Sequence, residues 1–267
     1  MTSVVFPLDP APAPDPGPRV SQEPSARLAL VAVPHAGGTA HAFRNWLRPA
    51  RTRGFRMYGV RTATPGTPAP DRTVRARARH LAESLAALGE PYVLVGHSLG
   101  GLIAAEAVLY LERHHPEAVP ALLVVCATAP PHLRRPPPVA GGTEEEAVAF
   151  LRTAGGTPEE VLADPGMREL AVAMLLNDLA SLRGYAWEGR RVTTPTAVYA
   201  GLTDRVAPPE PLARWTEAAE SVTTRVFASG HFFPHDRTAE LLDTIRLDLA
   251  GAAASPAPDH PHPAHRP

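Results

Sequence analysis

The chain contains no lysine: all 26 of its basic side chains are arginine, set against 27 acidic ones, for a formal net charge of −1. A balance so near zero excludes the electrostatic footprint of a nucleic-acid binder or of a protein held on an anionic membrane. A single cysteine, Cys126, excludes an internal disulfide framework and suits a reducing cytoplasm. It ends the apolar run Leu122-Leu123-Val124-Val125, so a buried core thiol is expected rather than a nucleophile. No apolar run approaches the ~20 residues that span a bilayer, and neither a basic leader nor a continuous apolar leader opens the chain, so no membrane segment or secretory signal is expected. No internal repeat of fixed period is present. What remains is a chain of 267 residues, 44% hydrophobic, sufficient for one sizeable α/β domain.

The missing lysines, with abundant Ala, Pro and Gly, fit the coding bias of a GC-rich genome. The arginine-rich stretch from Arg72 to Arg79 and the pair Arg134-Arg135 suit a solvated helix face and loop better than a docking surface. Residues 1–25 and 252–267 are dense in proline and small polar residues and are expected to be disordered tails around a domain over 26–251. The terminal histidines at 260, 262 and 265 lack the fixed geometry a metal needs, and neither metal nor cofactor is expected.

Between the tails, strand-like runs alternate with helix-like ones. Leu28 to Val33, Arg56 to Val60, Tyr92 to Val95, Leu122 to Cys126, Thr196 to Tyr199 and Thr224 to Phe227 predict strands. Helices are predicted near 40–51, 72–88, 99–114, 209–219 and 236–250, an alternation that makes a mostly parallel sheet with helices on both faces. The interval from Pro130 to Val192 is too long for a simple crossover. It holds helix-like stretches near Glu144 to Thr153, Pro158 to Ala163 and Gly166 to Tyr185, and is expected to form a lid in which Leu176 or Trp187 sets substrate preference.

The sharpest motif is Gly96-His97-Ser98-Leu99-Gly100-Gly101, a Gly-x-Ser-x-Gly pattern with a strand before it and a helix after it. On such a turn the serine side chain projects while glycines make room for the close approach of backbone, so Ser98 is the candidate nucleophile. A serine hydroxyl needs a histidine to take its proton and a carboxylate to orient that histidine, in chain order Ser, acid, His. His231, in Gly230-His231-Phe232-Phe233 after the last strand, is the candidate base, ahead of His235, His114, His115 and His132. Asp204, after the strand ending near Ala200, is the candidate acid, with Asp178 and Asp236 as weaker alternatives. The backbone N–H groups of Leu99 and of Ala36, in the Gly-rich loop Pro34-His35-Ala36-Gly37-Gly38, are expected to form the oxyanion hole, and His35 to be a loop residue.

Together, Pro34-His35-Ala36-Gly37-Gly38, Phe43, Trp46, the serine turn, Gly201 through Val206 and Gly230-His231-Phe232-Phe233 resemble the type II thioesterases of polyketide and nonribosomal peptide synthesis, over about Leu28 to Leu249. Asn177-Asp178-Leu179 and Tyr185 echo the family's lid helix. The resemblance implies an α/β-hydrolase with a helical lid, acting in the cytoplasm on acyl thioesters of the phosphopantetheine arm of a carrier protein, to clear stalled or misprimed units. Ser98 would be acylated, His231 would carry protons, Asp204 would orient it, and Ala36 and Leu99 would hold the oxyanion. The carrier protein is the expected partner, and a monomer is the default.

Two departures stand out: Pro65-Gly66 lacks the arginine that usually follows in the family, which bears on carrier contacts, and Leu99 and Gly101 stand where Met and Ala are common. A carboxylic-ester hydrolase with the same triad is the alternative. A non-catalytic binding protein of the same fold would not need all three triad residues.

Overall fold

The computed structural model describes residues 4–8, 27–61, 72–134, 139 and 142–254. Its frame is a seven-stranded sheet: β1 (Val5–Pro7), β2 (Leu28–Val33), β3 (Phe55–Val60), β4 (Tyr92–His97), β5 (Leu122–Cys126), β6 (Thr196–Gly201) and β7 (Val222–Phe227). The order across the sheet is β1-β3-β2-β4-β5-β6-β7, with β1 antiparallel to β3 and every other pair parallel. All six predicted strands are present, and the expectation of a mostly parallel sheet between helical layers holds.

Central strands read as continuous apolar runs because both faces are covered. Along β2, Ala29, Val31 and Val33 pack with one core layer and Leu30 and Ala32 with the other. The first layer is closed by α2 (Val74–Ala86) and α3 (Leu99–His114), through Val74, Ala78, Leu81, Leu85, Leu102 and Val108. The opposite layer is closed by a 3₁₀ turn at Ala40–Trp46 leading into α1 (Leu47–Thr52), and by the C-terminal helix, through Phe43, Trp46, Leu241, Leu242 and Ile245. Cys126 is fully buried in that second layer, where burial pushes its thiol pKa far up and keeps it inert.

The insertion between β5 and β6 carries α4 (Glu144–Ala154), α5 (Glu159–Ala163) and α6 (Pro165–Leu179). Helix α4 starts on a capping box in which the Thr143 side chain and Glu146 satisfy each other's backbone N–H. Asp164 caps α6 by accepting from the Met167 N–H, with Pro165 in the first turn. The chain ends in α7 (Phe233–Asp236) and α8 (Thr238–Ala254). No helix among the described residues is long and apolar enough to cross a membrane.

Several expectations need correction. The stretch taken as a disordered tail over 1–25 contains the strand β1, an edge strand whose backbone is satisfied by β3, with Val5 buried. The domain boundary expected at 251 is overrun, since α8 continues to Ala254. The predicted helix near 209–219 is a 3₁₀ helix, Glu210–Glu217, with i to i+3 bonds such as that from the Ala218 N–H to the Trp215 carbonyl. The helix expected to reach Tyr185 ends at Leu179 and passes into a 3₁₀ turn, Ala180–Leu182. Residues 9–26 and 255–267, and the departure at Gly66, lie outside the described residues.

Candidate active site

The crossovers reverse direction around β2 and β4, and in an open α/β sheet ligands bind beyond the strand ends at such a switch. Ser98 sits there, between β4 and α3, with φ 55° and ψ −117°. A non-glycine residue at positive φ is strained, and here the strain aims the side chain away from both flanking elements. Neighbouring backbone holds the turn in place: the Ser98 N–H donates to the Cys126 carbonyl at 2.8 Å, and the Gly101 N–H donates to the Ser98 carbonyl at 3.0 Å. A Cβ on Gly96 would strike the Gly100 carbonyl, and one on Gly100 would strike the carbonyls of Val33 and Pro34. The elbow is thus pressed against the end of β2. Thr128 supports it from just past β5, its hydroxyl lying 3.0 Å from the Ser98 carbonyl and 2.9 Å from that of Cys126. A Cβ on Gly101 would run into that same hydroxyl.

The loop after β2 faces the elbow. Gly37 takes φ 78°, a conformation natural to glycine, and the Gly38 N–H closes the turn onto the His35 carbonyl at 3.0 Å. Among the described residues no acceptor takes the amide N–H of Ala36 or of Leu99, and both residues line the same cavity as Ser98. Two free donors beside a serine, one at the N-terminus of α3, are what a developing oxyanion requires.

His231 and Asp204 are brought together from separate loops. Nδ1 of His231 lies 2.8 Å from Oδ2 of Asp204, and the two side chains are 5% and 0% exposed. The other carboxylate oxygen accepts from the Val206 and Ala207 N–H groups at 2.8 and 2.9 Å. Asp204 is therefore fixed as an acceptor on both oxygens, which directs the His231 proton to Nδ1 and leaves Nε2 as the basic nitrogen. The loop carrying His231 is fastened by His97, whose Nε2 lies 2.9 Å from the His231 carbonyl.

The weaker alternatives are engaged elsewhere. Asp236 accepts from the Ser229 hydroxyl at 2.8 Å on the surface. Asp178 lies in α6, where its carboxylate takes the Arg77 guanidinium at 2.7 Å through Oδ1 and the Gly37 N–H at 2.8 Å through Oδ2. This bridge from inserted helix to Gly-rich loop was not foreseen, and Arg77 is buried rather than solvated. The signal was its phase: Arg77 falls on the buried face of α2 with Val74, Ala78 and Leu81. Burial pushes the Asp178 carboxyl pKa up, and Arg77 with the Gly37 N–H pulls it back.

His35 and His235 are pushed down to about 4, chiefly by burial, and His97 goes well below its ordinary value for the same reason. These three imidazoles have ring nitrogens within 4.8 Å of one another, and they form the only such grouping among the described residues that could hold a metal ion. Three nitrogens on a tetrahedral zinc must approach to about 3.3 Å, given bonds of about 2.0–2.1 Å. At the present spacing they form a neutral packed cluster, with Phe232 against His35 at 4.8 Å between ring centroids.

Ser98, His231, Ala36 and Leu99 open on a cavity of about 490 Å³. Its far wall comes from the inserted helices, through Phe150 and Leu151 of α4 and Leu175 and Leu179 of α6. Leu176 and Trp187, expected to influence substrate preference, do not line the cavity, and the Trp187 indole N–H donates to the Arg190 carbonyl at 3.1 Å, beside a separate surface hollow. Helix phase explains the position of Leu176, because residues four apart share a face whereas 176 is turned about 100° from 175; Trp187 lies beyond the end of α6.

Residues 29–249 match the sequence model of the thioesterase domain. Thioesterase PikA5 of Streptomyces venezuelae is 27% identical over 249 residues, covering 89% of this chain and 86% of its own. Among solved structures, RedJ, the thioesterase from the prodiginine pathway of Streptomyces coelicolor, is similar with a TM-score of 0.72 and 26% identity, covering 89% of this chain and 91% of its own. YbtT, a type II thioesterase from the yersiniabactin NRPS/PKS pathway, shares the fold with a TM-score of 0.76 at 24% identity, over 94% of this chain and 99% of its own.

Proposed function

We propose, from the premise that this chain belongs to the thioesterase family, that it hydrolyses acyl groups held as thioesters on the phosphopantetheine arm of a carrier protein, and so clears blocked polyketide or nonribosomal peptide synthases. The observation that carries the reading is the His231–Asp204 pair, 2.8 Å apart and opening with Ser98 onto one largely apolar cavity. The buried free thiol of Cys126 supports a reducing cytoplasm as its place of work.

In this reading Nε2 of His231 takes the Ser98 proton as Oγ attacks the thioester carbonyl. The oxyanion is met by the N–H groups of Ala36 and Leu99, and Asp204 stabilises the imidazolium that forms. Collapse of the intermediate breaks the C–S bond, and His231 returns its proton to the departing thiolate. A water, deprotonated by His231, then attacks the acyl-serine and releases the acid with Ser98 restored. A thiolate is a better leaving group than an alkoxide, but both esters pass through the same acyl-serine and oxyanion, so this set of residues alone does not tell them apart. Discrimination falls to the cavity and the carrier surface.

The test compares kcat/KM on a short acyl thioester of a carrier protein with that on the matched simple oxygen ester. A clear preference for the carrier thioester, abolished in Ser98→Ala, is expected. Preference for the oxygen ester, or retained turnover in Ser98→Ala, would sink the reading.

A further inference from the structure

A guanidinium stays charged at any pH a protein meets, so an arginine taken out of water requires an anion. Arg77, the buried arginine among the described residues, obeys the rule: it pairs with Asp178 at 2.7 Å. Arg134 does not. Half-buried rather than buried, it follows the 3₁₀ turn Pro131–Leu133 and lines the cavity that Ser98 opens onto; its Nε is buried with no hydrogen-bond partner, while its terminal nitrogens are not among the buried unpartnered atoms. Among the described residues no carboxylate pairs with it, and none of the side chains lining the cavity is acidic. The other charged group on the wall, Arg205, is also cationic and is exposed. Burial lowers Arg134 only to about 10, so it keeps its charge at neutral pH. An apolar pocket with a positive lining and no counter-ion lacks an anion that the substrate can bring.

We propose that Arg134 forms an anion-recognising subsite of the acyl pocket, and that this enzyme favours acyl groups carrying a second, free carboxylate, the half-thioesters of short dicarboxylic acids. The proposal rests on the reading of Ser98 as the residue acylated in this cavity. A carboxylate matches the guanidinium fork with paired N–H···O bonds. The apolar walls from Leu151, Leu175 and Leu179 would hold the methylenes between it and the thioester carbonyl. The phosphate of the carrier arm is the other anion at hand, but it lies at the end of the arm far from the thioester sulfur, whereas Arg134 shares the cavity with Ser98.

The test measures kcat/KM on N-acetylcysteamine thioesters, which contain no phosphate, in two matched pairs: malonyl with isovaleryl, and succinyl with 4-methylvaleryl. In each pair an isopropyl group replaces the carboxylate at nearly constant shape. The dicarboxylic to apolar ratio is expected to fall about ten- to hundredfold in Arg134→Met, the value of a hydrogen bond to a charged group, with partial recovery in Arg134→Lys. The ratio does not depend on the fraction of folded enzyme. An unchanged ratio in both pairs would overturn the proposal while leaving the thioesterase reading intact. Coenzyme A thioesters supply the phosphate arm. If Arg134→Met slows their dicarboxylic and apolar members alike and leaves the N-acetylcysteamine ratios unmoved, the guanidinium serves the phosphate and the carboxylate assignment falls. Should the wild type hydrolyse none of these thioesters faster than Ser98→Ala, the thioesterase reading falls with it.

Discussion

Removing the Asp178 carboxylate strands a guanidinium. Arg77 and Asp178 have side chains only 8% and 4% exposed, and Nε and one terminal nitrogen of Arg77 lack partners, so among the described residues Asp178 is its only counter-charge. Breaking a buried pair from one side costs about 3–5 kcal/mol, because the surviving charge is left uncompensated. The Gly37 N–H loses its acceptor as well. Asp178→Ala is therefore expected to lose about 4 kcal/mol, read as a lower urea midpoint at constant m and a Tm lower by about 10 °C. The double variant Arg77→Met with Asp178→Leu removes both charges and keeps the volume, so its stability is expected within about 1 kcal/mol of wild type. Gly37 remains untethered in that variant, and the loop holding Ala36 loosens with it. A misplacement on the order of 1 Å can cost about a hundredfold in rate, so kcat should fall by about ten- to hundredfold in a protein that is otherwise sound. A double variant as unstable as Asp178→Ala, or one with undiminished kcat, would refute the reasoning.

Ser98→Gly should be inactive yet more stable by about 1 kcal/mol, since glycine accepts the strained backbone at a smaller cost than serine; a loss of stability by denaturation would count against stored strain. Asp204→Asn keeps the acceptor for the Val206 and Ala207 N–H groups but presents an amide to His231, and kcat should drop by about 10⁴. The histidine cluster should make the fold acid-labile. His35 and His235 are neutral down to about pH 4 when folded but titrate near 6.5 when unfolded, so stability present above 6.5 is lost as pH falls between those values. Each such group adds a slope of about 1.4 kcal/mol per pH unit, and His235→Phe should remove one share from urea titrations run across that range. Leu179→Ala enlarges the cavity and should shift the preferred acyl chain longer by one or two carbons in a chain-length series, with an unchanged profile arguing against that wall as the gauge.

The sheet and the serine elbow were legible in the sequence because each rests on a local pattern. Tyr92 to Val95 reads as a buried strand whatever surrounds it, and the elbow glycines are dictated by backbone crowding within a few residues. Asp204 and His231 were legible through position alone, each on a loop just past a strand. Features set by distant contacts were hidden. Val5–Pro7 becomes a strand only because β3 offers its edge, and three residues beside a proline-rich stretch give no periodicity to detect. Arg77 looked like one arginine among several until α6 supplied Asp178 across 101 residues of chain. The lining of the cavity was misjudged because α6 is apolar nearly all round, with Met167 and Leu170 52% and 59% exposed, so composition does not say which face turns inward.

The fit between Gly101 and the Thr128 hydroxyl ties the two positions to one another. An alanine at 101 would meet a group that also hydrogen-bonds the carbonyls of Ser98 and Cys126, so the methyl fits only if that hydroxyl turns away and gives up both bonds. Positions 101 and 128 are therefore coupled, and a chimera that transplants an elbow with alanine at 101 while keeping Thr128 inherits the clash.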